Sequence, residues 1–167
     1  AMPDEVPAHR LMDAQIDFDI LPEDYLGRVT VDSGKLRLNG LSFDCLVVPS
    51  ADHLPDALLT SLSDLAGKGA TILFLTPTPA DTPVGVTPLP VQDLVPFLRA
   101  RGMTDLSLSA PHEKLRALHV REENGKDLFL FVNEDPTASA ETPAGHGRFS
   151  PCRPSERCLL LGHDHNR

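Results

Sequence analysis

The chain is poor in aromatic side chains and in long apolar runs. Its 167 residues include no Trp, one Tyr and seven Phe. Ligand clefts, sugar clefts among them, are commonly lined by aromatic rings, so the composition does not favour a sugar-binding cleft within this chain. The longest apolar runs are about five residues, whereas a helix needs ~20 to span a bilayer, so no membrane span is predicted.

Basic residues are outnumbered and cysteines are few. Lys and Arg total 15 against 24 Asp and Glu, which gives a formal net charge of −9. Nucleic acids and anionic membranes bind basic surfaces, so neither is expected as a partner. Three cysteines, an odd number, do not make a disulfide framework. With no signal peptide evident, the sequence predicts a cytoplasmic protein.

The most informative stretch is residues 41–76, which has the pattern of a strand, a helix and a second strand. Residues 45–48 (CLVV) are apolar without alternation, which is typical of a strand buried on both faces. Helical spacing follows and ends at Gly67, and residues 71–75 (TILFL) predict the second buried strand. Such units cross over right-handed between parallel strands. The sequence therefore predicts a three-layer α/β fold with a mainly parallel sheet.

The segments on either side of this unit carry weaker patterns. Residues 6–14 have helical spacing, and residues 16–21 alternate apolar and acidic side chains, as in an edge strand. Residues 77–90 contain five prolines and predict an extended loop beyond the carboxyl end of a strand. Ligands of α/β proteins commonly bind at the carboxyl ends of the strands, where this loop lies. Residues 91–101 predict a further helix.

The last third of the chain departs from the α/β pattern. Residues 115–121 and 128–132 predict a β-hairpin, with Asn124 and Gly125 in the turn. The predicted units are an α/β domain over residues 1–110, a hairpin appendage or the start of a β-sandwich over 111–136, and an irregular or disordered tail over 137–167.

Candidate catalytic and metal-binding residues fit structural roles at least as well. Cys45 lies inside a predicted strand without the neighbouring glycines of a nucleophile elbow, so we interpret it as a buried core thiol. Asp17 and Asp19 share one face of an edge strand, which fits a solvated surface as well as an acid–base or metal pair. The spacing of Cys152, Cys158, His163 and His165 does not match a structural zinc site. No catalytic residue, metal or cofactor is predicted.

Ser50, Asp52 and His53 follow the first central strand directly. Their side chains have the chemistry of a nucleophile and its base. Residues so close in sequence rarely reach the geometry of a catalytic set, and Asp52 is also a candidate helix cap. We therefore interpret the three residues as a small-ligand or interface contact at the carboxyl edge of the sheet.

Three pieces of the sequence, taken in order, carry a resemblance to a known family. The pieces are residues 11–21 (LMDAQIDFDIL), 34–40 (GKLRLNG) and 43–49 (FDCLVVP). Together they resemble the glutamine-amidotransferase-like, flavodoxin-related domain of large bacterial glycoside hydrolases, most of all the α-L-rhamnosidase type of family 106. The layout is also similar to the trimerisation domain of family 42 β-galactosidases.

The resemblance implies a flavodoxin-like sheet with two departures from the family. Residues 76–79 (TPTP) stand where active amidotransferases carry a cysteine elbow, so amidotransferase activity is not expected. Family members also have a strand before the first helix, and this chain begins at that helix. That strand would lie at the sheet centre between the strands near Ile16 and Cys45. We expect unpaired backbone there, giving marginal stability, a rearranged sheet or a strand from another chain.

The resemblance further implies a structural role. The chain would be a non-catalytic module for domain packing or oligomerisation in a multidomain glycoside hydrolase, whose other domains and a second copy of the chain would be its partners. Two alternatives stay open. The first is a small-ligand or sugar-sensing domain that binds through Ser50, Asp52 and His53 together with the loop of residues 77–90, and the second is a hydrolase using Ser50 or Cys45. A concave pocket would favour the ligand-binding domain, and a Ser or Cys close to a His would favour the hydrolase. A flat apolar patch would favour the interaction module.

Overall fold

The structure is a computed structural model that describes residues 5–104, 106, 108, 112–122, 124–137 and 158–162. Its helices in these ranges are α1 (Glu5–Asp13), α2 (Asp56–Gly67) and α3 (Leu94–Ala100), with 3-10 helices at Glu23–Arg28 and Val91–Asp93. Its strands there are β1 (Phe18–Pro22), β2 (Thr30–Asp32), β3 (Lys35–Leu38), β4 (Leu41–Phe43), β5 (Cys45–Val48), β6 (Thr71–Leu75), β7 (Thr87–Leu89), β8 (Leu115–Arg121), β9 (Asp127–Asn133) and β10 (Cys158–Gly162).

Five parallel strands form the main sheet, in the spatial order β1-β10-β5-β6-β7. The inner strands are covered on both faces, and all four residues of β5 are buried. This double burial explains the lack of polar alternation in their sequences. The predicted α/β fold with a mainly parallel sheet and a hairpin after it is confirmed.

Successive residues of these strands face two different apolar cores. Val48 and Phe74 pack on one face of the sheet, under α2 and the small antiparallel sheet of β2, β3 and β4. Val47 and Leu73 pack on the other face, under α1 and α3. Because each face has its own cover, the α/β unit has three layers.

The strand at the centre of the sheet comes from the carboxyl-terminal segment. β10 lies between β1 and β5 and is parallel to both, with Leu160 opposite Ile20 on one side and Val47 on the other. With β10 counted first, the strands follow the order 2-1-3-4-5 of flavodoxin-like sheets. The position of the expected missing strand is therefore occupied by residues that come after all the other described strands in the sequence.

The prediction of an irregular tail over residues 137–167 is wrong for residues 158–162. Leu159, Leu160 and Leu161 are each at most 1% exposed. They form an apolar strand of the same kind as β5, paired on both sides, so the expected open edges are closed. The rest of the predicted tail beyond residue 137 lies outside the described residues.

Two edge strands complete the main sheet. β1 confirms the edge strand predicted from the alternating residues 16–21. β7 lies within residues 77–90, so the prediction of an extended loop is wrong for its three residues. Pro88 of β7 has no N–H to donate, which restricts such a strand to the edge of a sheet. In the part of the chain that is described, no helix has the length and apolar character to cross a membrane.

β8 and β9 form a separate antiparallel ribbon, the predicted hairpin. The register runs from Leu115 opposite Asn133 to Arg121 opposite Asp127. At the turn, Gly125 has φ of +82° and its N–H donates to the carbonyl of Glu122 at 2.9 Å. The turn glycine thus adopts the left-handed conformation that tight hairpin turns favour.

Candidate functional site

The loop after β5 holds the three residues predicted to bind a ligand. Ser50 is 1% exposed, and its Oγ donates a hydrogen bond to the backbone carbonyl of Pro77 at 2.7 Å. The hydroxyl therefore ties this loop to the loop after β6. Asp52 and His53 are exposed. The structure thus places one serine in a structural role and two side chains in solvent, and ligand binding by the three stays a prediction.

An open depression lies beside α2 rather than at residues 50–53. Its volume is about 490 Å³, and Asp64 on its wall is paired with Lys68 at 2.6 Å. It is lined by Leu59, Thr60, Ser63, Asp64, Asp81 and Pro83. The ligand-binding alternative expects a concave pocket at the carboxyl edge of the central strands. This depression includes Asp81 and Pro83 of the predicted 77–90 loop, but none of residues 50–53 lines it.

Cys45 is fully buried in β5, which confirms its interpretation as a core thiol. Its Sγ lies 3.5 Å from the Sγ of Cys158 in β10. A hydrolase needs a nucleophile whose proton is taken by a base. Here the Ser50 hydroxyl donates to a carbonyl and the Cys45 thiol faces a second thiol. Neither arrangement activates a nucleophile.

The paired carboxylates Asp17 and Asp19 lie at the start of the edge strand β1. Both are half-buried, and both take part in interactions within the protein. Within the described ranges, no group of three or more His, Cys, Asp or Glu side chains could hold a metal ion. Of the tail residues considered for zinc, Cys152, His163 and His165 lie outside those ranges.

The hairpin of β8 and β9 exposes aliphatic side chains on one face. In its register Leu118 lies opposite Leu130 and Val120 lies opposite Leu128, and directly opposed residues point to the same side of the ribbon. The exposed fractions are 43% for Leu118, 39% for Val120, 57% for Leu128, 56% for Leu130 and 49% for Val132. We call these five residues the hairpin apolar face.

The other face of the ribbon carries an aromatic row. The rings of His119 and Phe129 stack with centroids 4.4 Å apart, and Phe131 continues the row at 6.4 Å from Phe129. His119 Nε2 also lies 3.0 Å from a carboxylate oxygen of Asp127. Cross-strand stacking of this kind stabilises a two-stranded ribbon. The row thus stabilises the ribbon that displays the aliphatic side chains.

Within the described strands β8 and β9, Arg116 is the one charged residue on the aliphatic face, and carboxylates of the protein neutralise it. Arg116 lies opposite Val132, and its guanidinium contacts Asp13 at 2.8 Å and Glu134 at 2.9 Å. The hydrogen bond with Asp13 raises the pKa of Arg116, so its charge is permanent. These carboxylates draw the guanidinium toward the base of the ribbon. The aliphatic side chains are therefore left as the dominant feature of the face.

Exposure of this face is unusual for a folded chain. Two strands alone bury too little apolar surface to be stable in water, and they usually pack on further structure. In the described part of the chain, β8 and β9 pair only with each other. Contiguous exposed apolar patches commonly mark interaction sites. This face is the strongest candidate functional surface of the protein.

No protein-family profile, curated protein or solved structure matches this chain. Function is therefore argued from the side chains. The sequence predicts the hairpin, but no exposed apolar face was predicted from it. The signal was present: residues 128–132 (LFLFV) are apolar at every position, so both faces of the ribbon are apolar. A hairpin with two apolar faces needs something to cover them.

Proposed function

We propose that the chain is a non-catalytic interaction module that binds a second copy of itself through the hairpin apolar face. The observation that carries the proposal is the row of half-exposed aliphatic side chains on an open ribbon. The larger setting, a cytoplasmic multidomain glycoside hydrolase whose other domains are further partners, is supported by the sequence resemblance, which spans roughly residues 6–136. The odd number of cysteines supports the cytoplasmic part.

An open aliphatic surface suits a protein partner better than a small molecule. Small-molecule sites are concave and carry a few convergent polar groups. The hairpin apolar face has neither property, since its five residues are aliphatic and stand on a ribbon. Removing such side chains from water contributes about 25 cal/mol per Å² of apolar area. The surface that gains most by contact is another aliphatic surface.

A second copy of the ribbon supplies that surface. Most soluble oligomers are symmetric, and a two-fold contact brings the same patch of both chains together. The paired positions Leu118 with Leu130 and Val120 with Leu128 make one continuous aliphatic block. Arg116 brings its own carboxylate partners to the contact, so closing the interface does not bury an unpaired guanidinium.

The test replaces the centre of the face by an ion pair. The double variant Leu118→Lys with Leu130→Glu places opposite charges directly across the ribbon, which preserves the hairpin while removing two aliphatic side chains. A matched control, Val84→Lys with Leu41→Glu, introduces the same charges at apolar side chains that are 91% and 46% exposed outside the hairpin. Sedimentation velocity over a concentration series measures the self-association of each full chain.

We expect dimers for the unmodified chain and the control, and a dissociation constant at least tenfold higher for the hairpin variant. A tenfold change corresponds to ~1.4 kcal/mol, less than the burial of two leucines contributes. An unmodified chain that stays monomeric at high concentration would contradict the proposal, as would a hairpin variant that dimerises like the control. Release of aryl alcohol from an aryl α-L-rhamnoside by the chain alone would contradict its non-catalytic part.

A further inference from the structure

Two buried thiols face each other across the centre of the main sheet. Cys45 in β5 and Cys158 in β10 are directly opposed in the parallel register, and their Sγ atoms are 3.5 Å apart. Their residues are 0% and 3% exposed, and both are free cysteines. The proposed interaction module makes no use of this pair.

We propose that Cys45 and Cys158 form a reversible intrachain disulfide that fastens β10 to the rest of the sheet, with a low-molecular-weight disulfide such as oxidised glutathione as the oxidant. One protein thiolate attacks a glutathione sulfur, which releases one glutathione thiolate and leaves a mixed disulfide. The second protein thiolate then attacks the protein sulfur of that mixed disulfide and releases the other glutathione. The two cysteines lose two protons and two electrons, and oxidised glutathione is reduced to two thiols.

The geometry of adjacent strands allows this bond. Disulfides have sulfur–sulfur distances of ~2.05 Å, so the Sγ atoms of Cys45 and Cys158 must approach by about 1.5 Å from 3.5 Å. Neighbouring strands are ~4.8 Å apart, within the ~4.4–6.8 Å that disulfides span between Cα atoms. Rotation of the two side chains therefore supplies most of the approach, and the pairing of β5 with β10 is compatible with the bond.

The bond would close a long loop and link β10 covalently to β5 at the centre of the sheet. Cys45 and Cys158 are 113 positions apart in the sequence. A crosslink that closes a long loop removes much conformational freedom from the unfolded chain. β10 also joins β1 to the rest of the sheet, because β1 pairs with β10. Oxidation would thus hold the sheet centre, and reduction would leave β10 attached only by packing and hydrogen bonds.

Burial controls when the reaction takes place. The hydrogen bond with Cys45 and the burial of the side chain raise the pKa of Cys158, so the thiol is protonated and unreactive while β10 is in place. Glutathione reaches the pair only after β10 moves away from the sheet. Formation of the disulfide therefore reports opening of β10, and a low concentration of urea should accelerate it.

The test follows the pair directly in the full chain. The variant Cys152→Ser removes the third thiol, and the protein is incubated with oxidised glutathione, quenched with an alkylating reagent and mapped by peptide mass spectrometry. We expect a monomer lighter by two hydrogen atoms, a peptide linking Cys45 to Cys158, and a Tm above that of the reduced protein. Dithiothreitol should reverse all three. If Cys152→Ser fails to fold, the same peptide mapping is done on the unmodified chain, which retains all three cysteines.

Single replacements provide the matched controls. In the Cys152→Ser background, Cys45→Ser and Cys158→Ser should each retain glutathione on the one remaining thiol, because the second attack has no nucleophile. Stable glutathione adducts on both cysteines of the parent chain would overturn the proposal, because the sulfurs would then not meet. A disulfide between two chains, or an intrachain disulfide with no gain in Tm, would overturn it as well.

Discussion

Gln15 is the residue that fixes the hairpin to the α/β unit. It is buried, and its Nε2 lies 2.9 Å from the carbonyl oxygen of His112 and 2.8 Å from that of Leu115, at the start of β8. Its φ of +57° is left-handed, so the chain turns sharply where α1 ends. A buried carbonyl that loses its donor costs about 1–3 kcal/mol. The Gln15 side chain thus attaches the ribbon to the end of α1, together with the ion pair between Arg116 and Asp13.

Cys158 should make the stability of the reduced protein fall in alkaline solution. The hydrogen bond with Cys45 and burial raise the pKa of its thiol in the folded state. Above the ordinary thiol pKa of ~8.5, the unfolded chain has lost this proton while the folded chain still holds it, so the free energy of unfolding decreases as pH rises. The slope for one thiol is at most about 1.4 kcal/mol per pH unit. Urea unfolding under reducing conditions between pH ~7 and ~10 measures it.

The variant Cys158→Ala removes the titrating group and serves as the control. Its free energy of unfolding should be lower at neutral pH, because the thiol contacts are lost, yet it should depend less on pH in the alkaline range. Equal alkaline slopes for Cys158→Ala and the parent chain would show that this thiol does not titrate differently in the folded state.

Elements with a clear local sequence pattern could be predicted. Elements whose place depends on partners far away in the sequence could not. Apolar runs on either side of a helical segment predict β5 and β6, and the turn glycine predicts the hairpin. β10 has an equally apolar sequence, but its partners β1 and β5 are far away in the chain and its own neighbours in sequence continue no pattern. β7 was not predicted, because Pro88 and the neighbouring prolines favour a loop over a strand. No local pattern shows which element will cover a given face.

The same limit applies to the candidate functional surface. The register of the hairpin follows from its turn, so the pairing of Leu118 with Leu130 could have been derived from the sequence. Their exposure could not, because burial depends on what packs against the ribbon in space. The hydrogen bond from the Ser50 hydroxyl to the carbonyl of Pro77 could not be predicted either, because residues 50 and 77 lie on different loops; whether Ser50 also contacts a ligand stays a prediction.

The central place of β10 predicts a sharp contrast between two opposed residues. Leu160 of β10 is 1% exposed, and Ile20 of β1, directly opposite it, is 63% exposed. Leu160→Asp buries a charge between two strands and should destabilise the protein by more than ~4 kcal/mol, enough to abolish cooperative unfolding in a marginal domain. Ile20→Asp should lie within ~0.5 kcal/mol of the parent chain. Urea unfolding followed by circular dichroism measures the stability of both variants. Equal stability would contradict the central position of β10 in the sheet.

At the scale of the whole molecule, net charge opposes the association that the hairpin favours. Each copy carries a formal charge of −9, so two copies repel at low ionic strength. The Debye length falls from ~30 Å at 0.01 M salt to ~10 Å at 0.1 M, which screens this repulsion and leaves aliphatic contacts largely unaffected. The dimer should therefore tighten several-fold over that range. Sedimentation velocity at both concentrations measures the change, and a dimer that loosens with salt would indicate an interface held by ion pairs.

The position of β10 also bears on how the protein is made. Cys158 leaves the ribosome 113 positions after its partner Cys45. At ~5–20 residues per second, translation of that interval takes roughly 6–23 s, during which β1 and β5 have emerged without the strand that joins them. Open parallel edges are templates for pairing with other chains. Until β10 emerges and pairs with both strands, these edges of β1 and β5 stay available to other chains.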